Sequence, residues 1–167
     1  MIILEHLKKF QWYGPHLAWL GHKVNFKSAK ADLSWSDLSG AILSCANLSG
    51  ADLRGAKLRE AYLSCVNLSD ANLSDANLSG ANLSWADLRG ADLRRADMRE
   101  ADMRRSELRG VDLREADLRE ADLREADLRE ADLSGANLSW ADLRGARIDG
   151  TILPDHEAGK PLNEAKQ

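Results

Sequence analysis

Residues 113–130 read LREADLREADLREADLRE, one five-letter phrase repeated almost without variation. An α-helix buries apolar residues at a period near 3.6 and a strand at a period of 2, so a strict period of five fits neither. Outward from this stretch the register never slips. A leucine-class residue stands at every fifth position from Leu33 to Leu153, and the only replacements are Met98, Met103 and Ile148. Two residues before each stands Ala, replaced only by Ser36, Val66, Ser106, Val111 and Thr151, all small or β-branched. The repeated phrase is A-(D/N)-L-(S/R)-X.

In this motif, over about three quarters of its length, the chain resembles the pentapeptide repeat proteins. The resemblance implies an all-β solenoid, a right-handed quadrilateral parallel β-helix in which each pentapeptide forms one side and four make a coil. It also implies that Leu and the preceding small residue point inward while the other three letters face solvent. Ile42, Tyr62 and Ile152 are then apolar residues at an outward position. Coils stacked at the ordinary strand spacing of about 4.8 Å place identical core side chains above one another. A coil of twenty residues has a narrow lumen, so close packing admits only one large side chain per side. Twenty-five repeats make about six coils, a shaft of about 30 Å. Gly closes many repeats, as at Gly40, Gly55 and Gly110, where positive φ eases a tight turn. Glu, Asp, Trp and Arg close others, so positive φ is not expected at every corner.

Three regions follow. Residues 1–25 hold Phe10, Trp12, Tyr13 and Trp19, and Ile3, Leu4, Leu7 and Phe10 share one helical face before Gly14-Pro15, which predicts an N-terminal helical cap. Residues 26–153 form the repeat domain, and 154–167 a polar tail without an apolar stripe. A C-terminal coil left bare exposes unpaired backbone groups, which predicts that it joins a second copy in a homodimer or lies under a folded tail.

The formal charge of -4 comes from 23 basic and 27 acidic residues, too balanced for direct nucleic-acid binding through phosphate contacts. The N-terminus has no secretory pattern and no apolar run approaches the roughly 18 residues of a membrane helix, so the expected setting is cytoplasmic, without membrane attachment. Asn-Leu-Ser recurs as a by-product of the repeat, not as a set of glycosylation sites.

Residues twenty apart form columns up the shaft. Cys45, Cys65, Trp85, Arg105 and Glu125 share one, which places two thiols at strand spacing and a cation next to an aromatic ring. The cysteines read as small corner residues or as a thiol pair. From Asp87 to Asp132, 15 acidic residues face 11 Arg, so carboxylate and guanidinium columns are expected to alternate around the shaft with nothing to shift a carboxylate's pKa. His6, His16, His22 and His156 lack metal-site spacing. No catalytic, cofactor-binding or metal-ligating residue is assigned, and no cofactor is expected. LSGANLSWADLRGA occurs at 78–91 and again at 133–146, offset by a non-integral number of coils, which suggests that surface letters were copied without regard to side. These readings converge on a non-enzymatic scaffold that presents a mixed-charge surface to an unknown protein partner. The resemblance also implies an alternative, since some members of that family bind a type II topoisomerase, DNA gyrase, by imitating DNA.

Overall fold

A computed structural model describes residues 31–154. The predicted helical cap over residues 1–25 and the tail after Pro154 lie outside the described residues. Parallel bridges join each residue of the Asp/Asn row to the residue twenty positions on, from Asp32 with Asp52 to Asp132 with Ile152. Each bridge is one residue wide. A coil therefore has four sides, opening at Ala31, Ser36, Ala41 and Ala46 in the first coil and called sides one to four below. Residues 31–150 make six coils.

The five-residue period has its explanation in the five backbone N–H groups of a repeat. In residues 91–95 the Ala91 N–H donates to Leu88 O at 3.0 Å, closing a four-residue turn. Asp92 N–H donates back to Ala71 O at 2.9 Å, while Leu93 and Arg95 donate forward to Asp112 O and Arg114 O at 2.8 and 2.9 Å. Only the Arg94 amide has no backbone partner, and Asp92 Oδ1 accepts it at 3.1 Å. Asp and Asn are the residues whose side chains reach an amide two positions on. The same bond recurs from Ser34 to Asp32 through to Arg144 and Asp142. The second letter of the motif is thus a built-in backbone acceptor.

The corners correct one sequence-based expectation. All twenty-four last letters, from Trp35 to Gly150, have φ between 56° and 72°, and fifteen of them are not glycine. The turn joining consecutive sides has the corner as its third residue, where a type II turn requires positive φ. The requirement comes from the right angle, which is the same at every repeat, so Glu, Asp, Arg, Cys and Trp must adopt it too. None of these corner residues is β-branched, the class that tolerates positive φ worst. Gly55 is needed for space as well as for φ, because a Cβ there would lie 2.3 Å from the Trp35 ring.

The interior is two interleaved columns per side. The Leu and Met column is fully buried from Leu48 to Leu133, and Ala or Val fills the other with at most a few per cent exposure. Ser106 replaces Ala in the core and donates its hydroxyl to Met103 O at 2.7 Å, so no buried side-chain polar atom among the described residues lacks a partner. At the C-terminal coil Leu138, Ala141, Ala146, Ile148 and Leu153 are only partly buried.

Two substitutions test this account. Leu93→Asp puts an unpaired carboxylate at a fully buried site and should cost more than about 4 kcal/mol, read as loss of the circular dichroism of the fold. Glu120→Gly removes a left-handed corner strain of about 1–2 kcal/mol against a glycine entropy cost of about 0.5–1 kcal/mol. Its denaturation midpoint should rise, whereas that of Glu120→Val should fall.

Candidate protein-interaction face

Most of the surface is occupied with itself. In nine repeats an Arg turns back on the Asp two residues earlier, as where Arg94 Nε and a terminal nitrogen donate to Asp92 Oδ1 and Oδ2 at 2.9 and 2.6 Å. The same guanidinium leans toward the Asp of the next coil, with Arg94 Nε 3.7 Å from Asp112 and Arg104 Nε 3.6 Å from Asp122. The sequence suggested charge columns alternating around the shaft; the contacts instead run up the charged coils as a zigzag, and the primary pair lies inside one repeat.

The pairing explains a correlation within the motif. Asn at the second letter is always followed by Ser at the fourth, never by Arg, in all six Asn repeats. A guanidinium fork needs two acceptor oxygens, which a carboxylate has and an amide lacks, whereas one Ser hydroxyl needs only Asn Oδ1, as in Ser74 to Asn72 at 2.7 Å. The expectation that nothing shifts the carboxylates is corrected here. Hydrogen bonds from Arg94 hold Asp92 below the usual carboxylate range, against the opposing effect of burial, and Asp97, Asp102, Asp112, Asp117, Asp122 and Asp127 follow suit.

Side three departs from this pattern in its first three coils. Residues 41–45, 61–65 and 81–85 carry no charged side chain, and Ile42, Tyr62 and Trp85 are about half exposed, at 45, 55 and 58%. Ile42 and Tyr62 are a bridge pair, one above the other. Cys45, Cys65 and Trp85 form the adjoining corner column, and the two thiols are exposed and free rather than joined. The row between them is serine, with Ser64 donating to Ser44 at 3.0 Å. At the upper edge of the strip Arg105 lies over the Trp85 ring, 4.9 Å from its centroid, and its other side is held by Glu125 at 2.7 Å. The predicted stacking of cation on ring is thus present, completed by a carboxylate one coil further.

The individual residues of this strip were legible, but their convergence on one side was not anticipated from the copied pentapeptides. Counting Ile42, Tyr62 and Trp85 modulo twenty would have found it. Trp35, Trp140 and Ile152, the other exposed large apolar residues among those described, lie on sides one and two. Among the described residues no group of three or more His, Cys, Asp or Glu could hold a metal ion, and the four histidines lie outside them.

The pentapeptide repeat family model matches in overlapping stretches that run from residue 31 to residue 145. The chain belongs to the pentapeptide repeat family. Its relatives fold as right-handed quadrilateral β-helices, in agreement with the four-sided coil. Among solved structures it is similar to a pentapeptide repeat protein from the thylakoid lumen of Arabidopsis thaliana. That match has 29% identity and a TM-score of 0.61 over 70% of this chain and 78% of the other. It is also similar to HetL of the cyanobacterium Nostoc, involved in the regulation of heterocyst differentiation, at 34% identity over 78% of this chain and 77% of that one, with a TM-score of 0.32. QnrB1, a plasmid-mediated fluoroquinolone resistance protein, shares 23% identity over 80% and 68% of the two chains, with a TM-score of 0.48. No curated protein sequence matches.

The charge lattice generates a prediction in two parts. Carboxylates whose folded pKa is lowered contribute stability that is complete above the ordinary value near 3.9 and is lost as pH falls through their lowered values, so the melting temperature should drop in acid below about pH 4. At neutral pH, Asp112→Asn with Arg114→Ser recreates a natural Asn-Leu-Ser repeat and should lie within about 1 kcal/mol of wild type. Asp112→Asn alone, which strands the Arg114 fork, should be the less stable of the two in thermal melts.

Proposed function

We propose that this protein is a non-enzymatic interaction scaffold, a rigid rod whose uncharged strip on side three is presented to a protein partner. The observation that carries this reading is the contrast between a surface that pairs its own charges and three large apolar side chains left half exposed on one side. Interface centres are depleted of charge and enriched in Tyr and Trp, and their affinity rests on a few such anchors. A shaft with a core filled from Leu48 to Leu133 holds those anchors without loop motion, so little ordering entropy is spent on contact. Carboxylates clamped by Arg and held ionised are poorly suited to moving protons, which supports a role without catalysis.

The alternative, imitation of DNA toward a type II topoisomerase, draws support from one row. Asp32, Asp52, Asp92, Asp112 and Asp132 run up side one, interrupted by Asn72. Against it, Arg54, Arg94 and Arg114 pair with that row and break the negative field which a duplex presents.

The test separates the two. Tyr62→Ser with Trp85→Ser should abolish capture of a defined host protein that the wild type retains, while Trp140→Ser leaves capture unchanged. Capture that survives the double replacement refutes the strip as the interface. Inhibition of DNA supercoiling by the purified chain, lost on replacing the aspartates of side one, would favour the mimic.

A further inference from the structure

Cys45 and Cys65 occupy the same corner of consecutive coils with almost the same backbone conformation, φ 57° and 56°. Cys45 N–H donates to Ser64 O at 2.9 Å and Cys65 N–H to Ser84 O at 3.0 Å, so the two residues stand in register. Register has a consequence for the thiols. Identical conformations one coil apart give parallel Cα–Cβ bonds, so the Cβ atoms are separated by the coil spacing of about 4.8 Å. A disulfide prefers a Cβ separation of about 3.8 Å, with the two stems converging. Parallel stems at the coil spacing lie just beyond the usual disulfide range of about 3.5–4.5 Å, and the ladder on both sides holds them there.

The same width suits a different occupant. Parallel stems in one rotamer carry the sulfurs at that same spacing, and two metal–thiolate bonds of about 2.3 Å, the length of a zinc–thiolate bond, laid end to end span about 4.6 Å. We propose that Cys45 and Cys65 form a two-coordinate dithiolate site for a soft monovalent cation of the Cu(I) class. Binding takes the form Cu⁺ + 2 RSH → [Cu(SR)₂]⁻ + 2 H⁺, with no change of oxidation state.

The surroundings select for such an ion. Ser44, Ser64, Tyr62 and Trp85 on the same side and Asn47 and Asn67 on the next are all uncharged. Hard divalent cations find no carboxylate here, and Zn²⁺ in a structural site requires four ligands where this corner has two. Burial, the neighbouring charge of Cys45 and its hydrogen bonding raise the Cys65 thiol above its ordinary range. An arriving cation takes the place of both thiol protons. The site does not depend on whether a protein docks on side three.

The experiment is an anaerobic titration of the reduced full chain with Cu(I) against a chromophoric Cu(I) chelator. The wild type should hold one more Cu(I) than the Cys45→Ser/Cys65→Ser chain and release two protons per ion near pH 7. Each single replacement should weaken that ion by at least about tenfold. Tryptophan emission should fall on binding, and Trp85→Phe should remove that fall without altering stoichiometry. Both thiols are exposed, so circular dichroism should show these variants folded. Equal Cu(I) uptake by the wild type and the double variant, or undiminished affinity in either single variant, would overturn the site. So would ready closure of the pair to an intramolecular disulfide in a glutathione buffer.

Discussion

Each repeat has one amide that the stacked coils cannot satisfy, and the structure is organised around it. Four N–H groups of a repeat find backbone oxygens, three in neighbouring coils and one in the turn. The fifth, after the core Leu, turns outward at the start of the corner and is accepted by the Asp or Asn two residues before wherever the second letter is one of these. Leaving a backbone donor without a partner costs as much as a lost hydrogen bond, and here the loss would recur at every repeat. A residue that supplies its own acceptor removes the recurrence. That requirement fixes the second letter, as the narrow lumen fixes the first and third.

With the second letter fixed as an acceptor, the fourth is drawn into its chemistry. Ser fits a single amide oxygen, and Arg fits both oxygens of a carboxylate. The charged surface is therefore a by-product of backbone satisfaction before it is a recognition surface. Each exposed pair contributes little on its own, about 0–1 kcal/mol. Its larger effect is to cancel the field locally, so the many acidic residues of the repeat region do not add up to an acidic face.

The core columns, the outward Ile42 and Tyr62, and the Arg105 and Trp85 contact were all legible in the sequence, because each follows from counting residues in fives once the family resemblance supplies four repeats to a coil. What escaped counting was backbone conformation. Corners occupied by Glu120 or Arg95 read as ordinary positions, since propensity favours glycine at positive φ. The signal lay in what those corners lack, namely any Val, Ile or Thr. The pairing of Asp with Arg and Asn with Ser was also present in the letters. It became interpretable only once Arg94 and Asp92 were seen to meet on the same side of one repeat.

A solenoid that satisfies itself repeat by repeat leaves its outer letters free wherever the motif can be broken cheaply. The second letter of side three shows where. At Ile42 and Tyr62 the acceptor is given up, and the serines that follow bond instead to Tyr62 O and to each other. Losing a backbone cap twice in succession has no benefit for the shaft, because neither side chain enters the core and both face solvent. The rest of the repeat keeps its acceptor almost throughout, so a consecutive loss on a single side, beside a tryptophan and without any charge, points away from folding and toward contact. Lys57, Glu107 and Arg147 also give up the acceptor, but each puts a charged side chain in its place, so the uncharged pair on side three stands apart.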